Sequence, residues 1–161
     1  MKVITAPDAL PNFDKPTVFL AGGITNCPDW QDEVIIYLAE YDHAILFNPR
    51  RKNFPIHDSN AANEQIEWEF NALNNCTIFS MWFCKGLSDQ PICMYELGRH
   101  LAIREKEKRL DTVVIGVEDG YRRAMDVFIQ TKLISPWIFV SQCSPKVHAK
   151  YILEALKKHG I

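Results

Sequence analysis

The chain has 161 residues, 47% hydrophobic and 24% charged, which is the size and balance of one globular domain able to bury a core. A formal charge of −2 and an isoelectric point near 6.2 offer no broad basic surface for a phosphate backbone, so polymeric nucleic acid is not an expected partner. Five cysteines without C-x-x-C spacing suggest neither a disulfide framework nor a zinc site. An N-terminus without a signal-type apolar stretch, in a chain with no membrane-length apolar run, points to a cytoplasmic protein with no membrane partner.

Residues 1–16, with Pro7, Pro11 and Pro16, read as an irregular lead-in. The apolar run 17–22, ending in Gly22, is predicted to be a buried parallel strand that stops in a tight turn. A helix should follow, because Pro28, Asp29, Asp32 and Glu33 supply start chemistry and Trp30, Val34, Ile35 and Leu38 recur at helical spacing. Residues 44–47 form the second strand, which leaves through Asn48-Pro49-Arg50-Arg51 into a polar loop reaching about residue 60.

Within 61–74 the positions Ala62, Ile66, Phe70 and Leu73 make one helical stripe, expected to be the buried one. Residues 77–83 are the third strand, and Pro91 opens a helix running to about residue 106. The last two strands are expected at 112–117 and 137–140, with helices around 121–132 and 145–159. Five successive β-α units predict a three-layer α/β/α domain over residues 1–161, with a five-stranded parallel sheet of flavodoxin-like order. Such sheets bind ligands beyond the carboxyl ends of their strands, which directs attention to the loops after Leu20, Phe47, Phe83 and Val117.

The first of these loops, Gly22-Gly23-Ile24, matches neither the dinucleotide fingerprint nor a phosphate-binding P-loop, yet two glycines permit close backbone approach to a ligand as well as a simple tight turn. Arg50 and Arg51 stand where a guanidinium can fork onto a phosphate or stack on a base, or equally form surface ion pairs. At 100° per residue with Ile66 as origin, Glu69 falls at about 300°, nearest the apolar stripe, where partial desolvation raises a carboxyl pKa and suits proton donation. Trp68 at about 200° points away from that stripe, as a ligand-side wall or an interface residue.

Glu96 lies in Tyr95-Glu96-Leu97-Gly98-Arg99, about two turns into its helix and near the sheet's ligand edge. It reads either as a nucleophile or as an ion-pair partner of Arg99. Gly98 in mid-helix suggests close packing against a neighbouring backbone or ligand. The five histidines show no metal-ligand spacing, so neither a metal nor a cofactor is expected.

Taken together, Val18-Phe19-Leu20-Ala21-Gly22-Gly23, Asn48-Pro49-Arg50-Arg51, Trp68-Glu69 and Tyr95-Glu96-Leu97-Gly98-Arg99 resemble the nucleoside 2-deoxyribosyltransferase-like family over about residues 17–105. The resemblance implies a homo-oligomeric enzyme that breaks N-glycosidic bonds through a glycosyl ester on Glu96. Glu69, or failing it Glu67, would handle the base proton. The sugar then passes to another base or to water, the second outcome matching relatives that hydrolyse nucleoside 5′-monophosphates. A catalytically silent nucleotide sensor is the rival reading. Gly22, Gly23 and Ile24 would lie against sugar or base, Trp68 would stack, and Asn48, Arg50 and Arg51 would meet base or phosphate. Gln90, with Asp89 beside it, occupies the place where relatives put an aspartate for the 5′-hydroxyl or a serine for the 5′-phosphate. Phe19 stands where some members have tyrosine.

Overall fold

A computed structural model describes every residue except Pro11, Phe13, Gly160 and Ile161; Pro11 of the expected lead-in and the terminal Ile161 thus lie outside the described residues. Six parallel strands form one sheet in the order β1-β3-β2-β4-β5-β6, with β1 Lys2–Thr5, β2 Thr17–Gly22, β3 Ile45–Asn48, β4 Ile78–Phe83, β5 Val113–Val117 and β6 Val140–Gln142. The five helices are α1 Trp30–Leu38, α2 Ala61–Asn75, α3 Pro91–Lys106, α4 Ala124–Ile134 and α5 Pro145–Lys158. Without β1, the strand order is the expected flavodoxin-like one.

The central strands are the apolar runs of the sequence. All six residues of β4 are buried, as are five of six in β2, because helices cover both faces of the sheet. One core lies between the sheet and α2, α3 and α4, and holds Phe19, Phe47, Phe79, Met81, Leu97 and Leu101. The other lies under α1 and α5, with Leu20, Trp30, Val34, Trp82 and Ile152. From β2 the chain builds outward to β3 on one side, then crosses through α2 to β4 on the other. This reversal makes the carboxyl end of β2 the switch point, where the diverging loops leave a crevice.

Three expectations need correction. Residues 2–5 are not part of an irregular lead-in but a sixth strand, paired with β3 in the register Lys2↔Ile45 to Thr5↔Asn48. An edge strand this short has too little alternation to announce itself. The last strand is Val140–Gln142 instead of 137–140; Trp137 and Phe139 are strongly exposed, so the apolar run there is not a core segment.

Helix α2 also turns a different face inward. Ala61, Trp68, Ala72 and Leu73 are buried, whereas Ile66 and Phe70 are 62% and 52% exposed. The helix carries two apolar stripes. The one with Trp68 wins the sheet because its large ring reaches Phe19 and Phe47, at centroid distances of 6.2 and 6.3 Å, while small Ala72 lets the backbone approach. Among the described residues, no helix is long and apolar enough to cross a membrane.

Candidate active site

Strand β2 ends at Gly22, whose neighbours demand that it lack a side chain. A Cβ there would collide with the Trp82 carbonyl oxygen and the Trp30 ring, and its φ of +153° is one that L side chains rarely adopt. Trp30 in turn donates from Nε1 to the Gly23 carbonyl at 3.0 Å, so the first loop is pinned from beneath. On α3, Gln90 caps the helix in a left-handed conformation, with φ 51° and ψ 55°. Its buried amide donates to the Cys84 carbonyl at 2.6 Å and accepts from the Cys84 N–H at 3.4 Å.

Between these two anchored loops lies a cavity of about 200 Å³. Phe19, Ala21, Gly22, Gly23, Ile24 and Thr25 form one wall from β2 and its loop; Pro49 follows β3 and Glu69 comes from α2. Ser88, Gln90, Pro91, Ile92, Cys93 and Glu96 complete it from the entry and first turns of α3. The lining is largely apolar, and its two ionisable acids come from facing helices.

That setting explains the electrostatics. Burial, and then the charge of Glu69, push the Glu96 carboxyl up to about 8 against the opposing pull of Arg99. Burial likewise raises Glu69, opposed by a hydrogen bond from Gln65. The charge of Glu69 is one of the causes that hold Glu96 up, so the two carboxyls titrate as a coupled pair. An arrangement of this kind can hold one carboxylate as a nucleophile and the other as an acid. Among the described residues no group of three or more His, Cys, Asp and Glu side chains is arranged to hold a metal ion, and all five cysteines are free thiols.

Of the residues singled out in the sequence, Gly22, Gly23, Ile24, Glu69, Gln90 and Glu96 line this cavity, and Asn48, Arg50, Arg51, Trp68 and Asp89 do not. Arg50 is spent on the scaffold. Its guanidinium donates to Gln31 Oε1 at 2.9 Å and to the carbonyls of Pro28 at 2.8 Å, Gly23 at 3.3 Å and Cys27 at 3.4 Å, tying the first loop to the second. Arg51 pairs with Glu64 at 3.0 Å, and Asn48 accepts from the Arg50 N–H through Oδ1. Asp89 pairs with Arg122 at 2.6 Å. Trp68 packs in the core against Phe19 and Phe47, away from this cavity, and its Nε1 donates to the Asp8 carbonyl at 2.7 Å. Glu67 is exposed on α2 and also lies outside the cavity lining.

The sequence reading missed Pro49, Ser88, Ile92 and Cys93 as wall residues. Two of these had a usable signal: Cys93 and Ile92 stand three and four residues before Glu96, so a helix that turns Glu96 to a cavity turns them there too. Gly98 does not pack closely against another element: among the described residues, a Cβ there would meet nothing within 4 Å beyond its own helix backbone. A family model described as nucleoside 2-deoxyribosyltransferase like matches residues 15–120, well over half of the chain and the whole span from β2 to beyond β5. No curated protein matches the chain.

Proposed function

The chain belongs to the nucleoside 2-deoxyribosyltransferase-like family, and from that premise we propose that it cleaves the N-glycosidic bond of a (deoxy)nucleoside or nucleotide through a covalent sugar ester on Glu96. The observation that carries the reading is the placement of two half-buried, pKa-raised carboxyls, Glu69 from α2 and Glu96 from α3, in the lining of one cavity at the sheet's switch point.

In the reactive arrangement the pair's proton is on Glu69 and its charge on Glu96. A Glu96 carboxylate oxygen attacks the anomeric carbon as the glycosidic C–N bond breaks. The bonding electrons leave with the base, which takes the proton from Glu69. In the second half, water or another base attacks the same carbon, the ester carboxylate departs, and Glu69 receives the nucleophile's proton. Two displacements retain the anomeric configuration. Gly22, Gly23 and Ile24 bring backbone against the sugar, while Phe19, Pro49 and Ile92 supply apolar surface. A cavity of about 200 Å³ holds less than a typical drug-sized site of roughly 300–1,000 Å³, so part of the substrate extends through its mouth.

A specific observation favours nucleoside 5′-monophosphates among the possible substrates. Ser88 lines the cavity with a hydroxyl that accepts from the Gln90 N–H at 3.1 Å and keeps its own proton to donate, and beyond Pro91 the uncapped first turn of α3 leaves backbone N–H groups for an anion. The Gln90 amide is already engaged by Cys84. We also infer a homo-oligomer, supported by the uncovered apolar face of α2 and the open space above Gly98 on α3.

The test incubates a panel of deoxynucleosides, ribonucleosides and their 5′-monophosphates with the protein, with and without a second free base, and separates the products by chromatography. Release of base from a monophosphate, unaffected by a second base, identifies a hydrolase; exchange identifies a transferase. A sugar adduct seen by intact mass and lost in Glu96→Ala locates the ester. If no panel member loses its base while one binds the Glu96→Ala variant as well as the native protein, the chain is a silent nucleotide sensor.

A further inference from the structure

Gln65 is one turn before Glu69 on α2 and makes an arrangement that ordinary helix packing does not require. Its amide nitrogen lies 2.7 Å from the Pro49 carbonyl oxygen and 2.7 Å from Glu69 Oε1. A carbonyl can only accept, so Pro49 forces the NH2 end of the amide to face both oxygens. Both amide hydrogens are thereby used. The other end is left wanting: Gln65 Oε1 is buried with no partner among the described residues.

A buried amide oxygen without a donor costs stability, and leucine or methionine would fill the same space without that cost. What the amide supplies, and an apolar side chain cannot, is two donors at one point between the exit of β3 and Glu69. We propose that Gln65 is the positioning residue of the acid: it holds Glu69 by Oε1 and so sends the carboxyl's proton to Oε2, the oxygen left free to face a departing base. This rests on the glycosidic reading above. An oxygen already accepting the amide N–H is the less basic of the two, so the neutral acid carries its hydrogen on the other. Pro49 itself lines the cavity, so the clamp also ties the acid to the wall a substrate touches.

The titratable groups facing Glu69 across the cavity are Glu96 and Cys93, both on α3, and neither contacts it as a donor in the way Gln65 does. Removing Gln65 therefore takes away a hydrogen bond that favours the ionised form of Glu69, and its titration moves upward.

The experiment compares native protein with Gln65→Leu, and with Gln65→Met should the leucine variant fold poorly. Two readouts are taken. The first is kcat/KM on 2′-deoxyadenosine 5′-monophosphate, whose base needs a proton to depart, and on 4-nitrophenyl 2-deoxyribofuranoside, whose leaving group departs as a stable anion. The expected result is a loss of about 10–100-fold on the nucleotide and under about threefold on the activated compound. Equal losses on both, or no loss on either, overturn the proposal. The second readout is the titration of Glu69 followed by NMR of 13C-glutamate protein, assigned with Glu69→Gln; an upward shift in the Gln65 variant is expected, and an unchanged midpoint overturns the clamp. If the native protein cleaves neither compound nor any member of the panel above, the glycosidic reading fails, and the titration alone still decides whether Gln65 controls Glu69.

Discussion

Glu96 costs the fold stability where it stands. Its carboxyl titrates at about 8 in the folded chain instead of near 4.5, so the folded state binds the proton more tightly than the unfolded one. The sign follows: the contribution is fully present below pH 4.5 and is lost as pH rises toward 8. Glu96→Gln keeps the shape and removes the ionisation. At pH 8.5 it should be more stable than the native chain by on the order of 1–3 kcal/mol, with the gap closing below pH 5, as thermal unfolding would record. The same variant should lose at least about a thousandfold in kcat. Because the pair works with one proton, kcat/KM should be bell-shaped in pH and fall on the basic side above about pH 8. Gly22 is the other residue whose identity the site dictates. Gly22→Ala should destabilise by about 2–4 kcal/mol in urea unfolding, since the new methyl meets the Trp82 carbonyl and the Trp30 ring in a backbone conformation hostile to side chains.

At the scale of elements, the roll of α3 decides whether Glu96 faces the cavity, and Arg104 controls that roll. Arg104 is 3% exposed and makes no ion pair among the described residues. Its guanidinium instead donates to the carbonyls of Thr77 at 3.0 Å and Cys76 at 3.1 Å and to the Thr112 hydroxyl, joining α3 to the segments that enter β4 and β5. Next to it, the His100 ring stacks on Phe79 at 5.0 Å. Arg104→Leu orphans these acceptors and should cost about 3–5 kcal/mol by denaturant midpoint. It should also lower kcat, although Arg104 lies eight residues, or about 12 Å, along the helix from Glu96. Helix α2 shows how an element can be read correctly and oriented wrongly. Its boundaries follow from periodicity, yet both stripes are apolar, and the deeper one is selected by fit to Phe19 and Phe47. Glu69 stays at the border either way, since it lies between the two.

For the whole molecule, the stripe that α2 does not bury is the feature left without a role in one chain. Ile66 and Phe70 are exposed there, the Phe70 ring carries Arg99 at 4.7 Å, and on α3 Tyr95 is 71% exposed close to Gly98. A glycine in an exposed mid-helix position forfeits roughly 1 kcal/mol relative to alanine, a loss that close approach of a second backbone would offset. In the homo-oligomer we infer, a second copy covers this face. Sedimentation velocity should show a stable multimer for the native chain and a shift toward monomer for Phe70→Glu, while a native chain that stays monomeric at high concentration removes this assembly.

The sequence by itself determined the parallel α/β architecture, strands β2 to β5 with their helices, and the positions of Glu69 and Glu96 near the ligand edge. Run length, period and the place of glycine and proline are local properties that survive without tertiary context. Even the neighbours of Glu96 at Ile92 and Cys93 were implicit in helical spacing. Only the tertiary structure decided that Lys2–Thr5 pairs as an edge strand, that Trp68 is core and Ile66 is surface, and that Arg50 staples two loops together. Each of those outcomes turns on which partner lies across space. A guanidinium is a donor wherever it sits, and a tryptophan is apolar wherever it sits; the fold decides what they touch. The cavity itself arises in the same way, from two loops far apart in the chain that the reversal at β2 brings together around two acids.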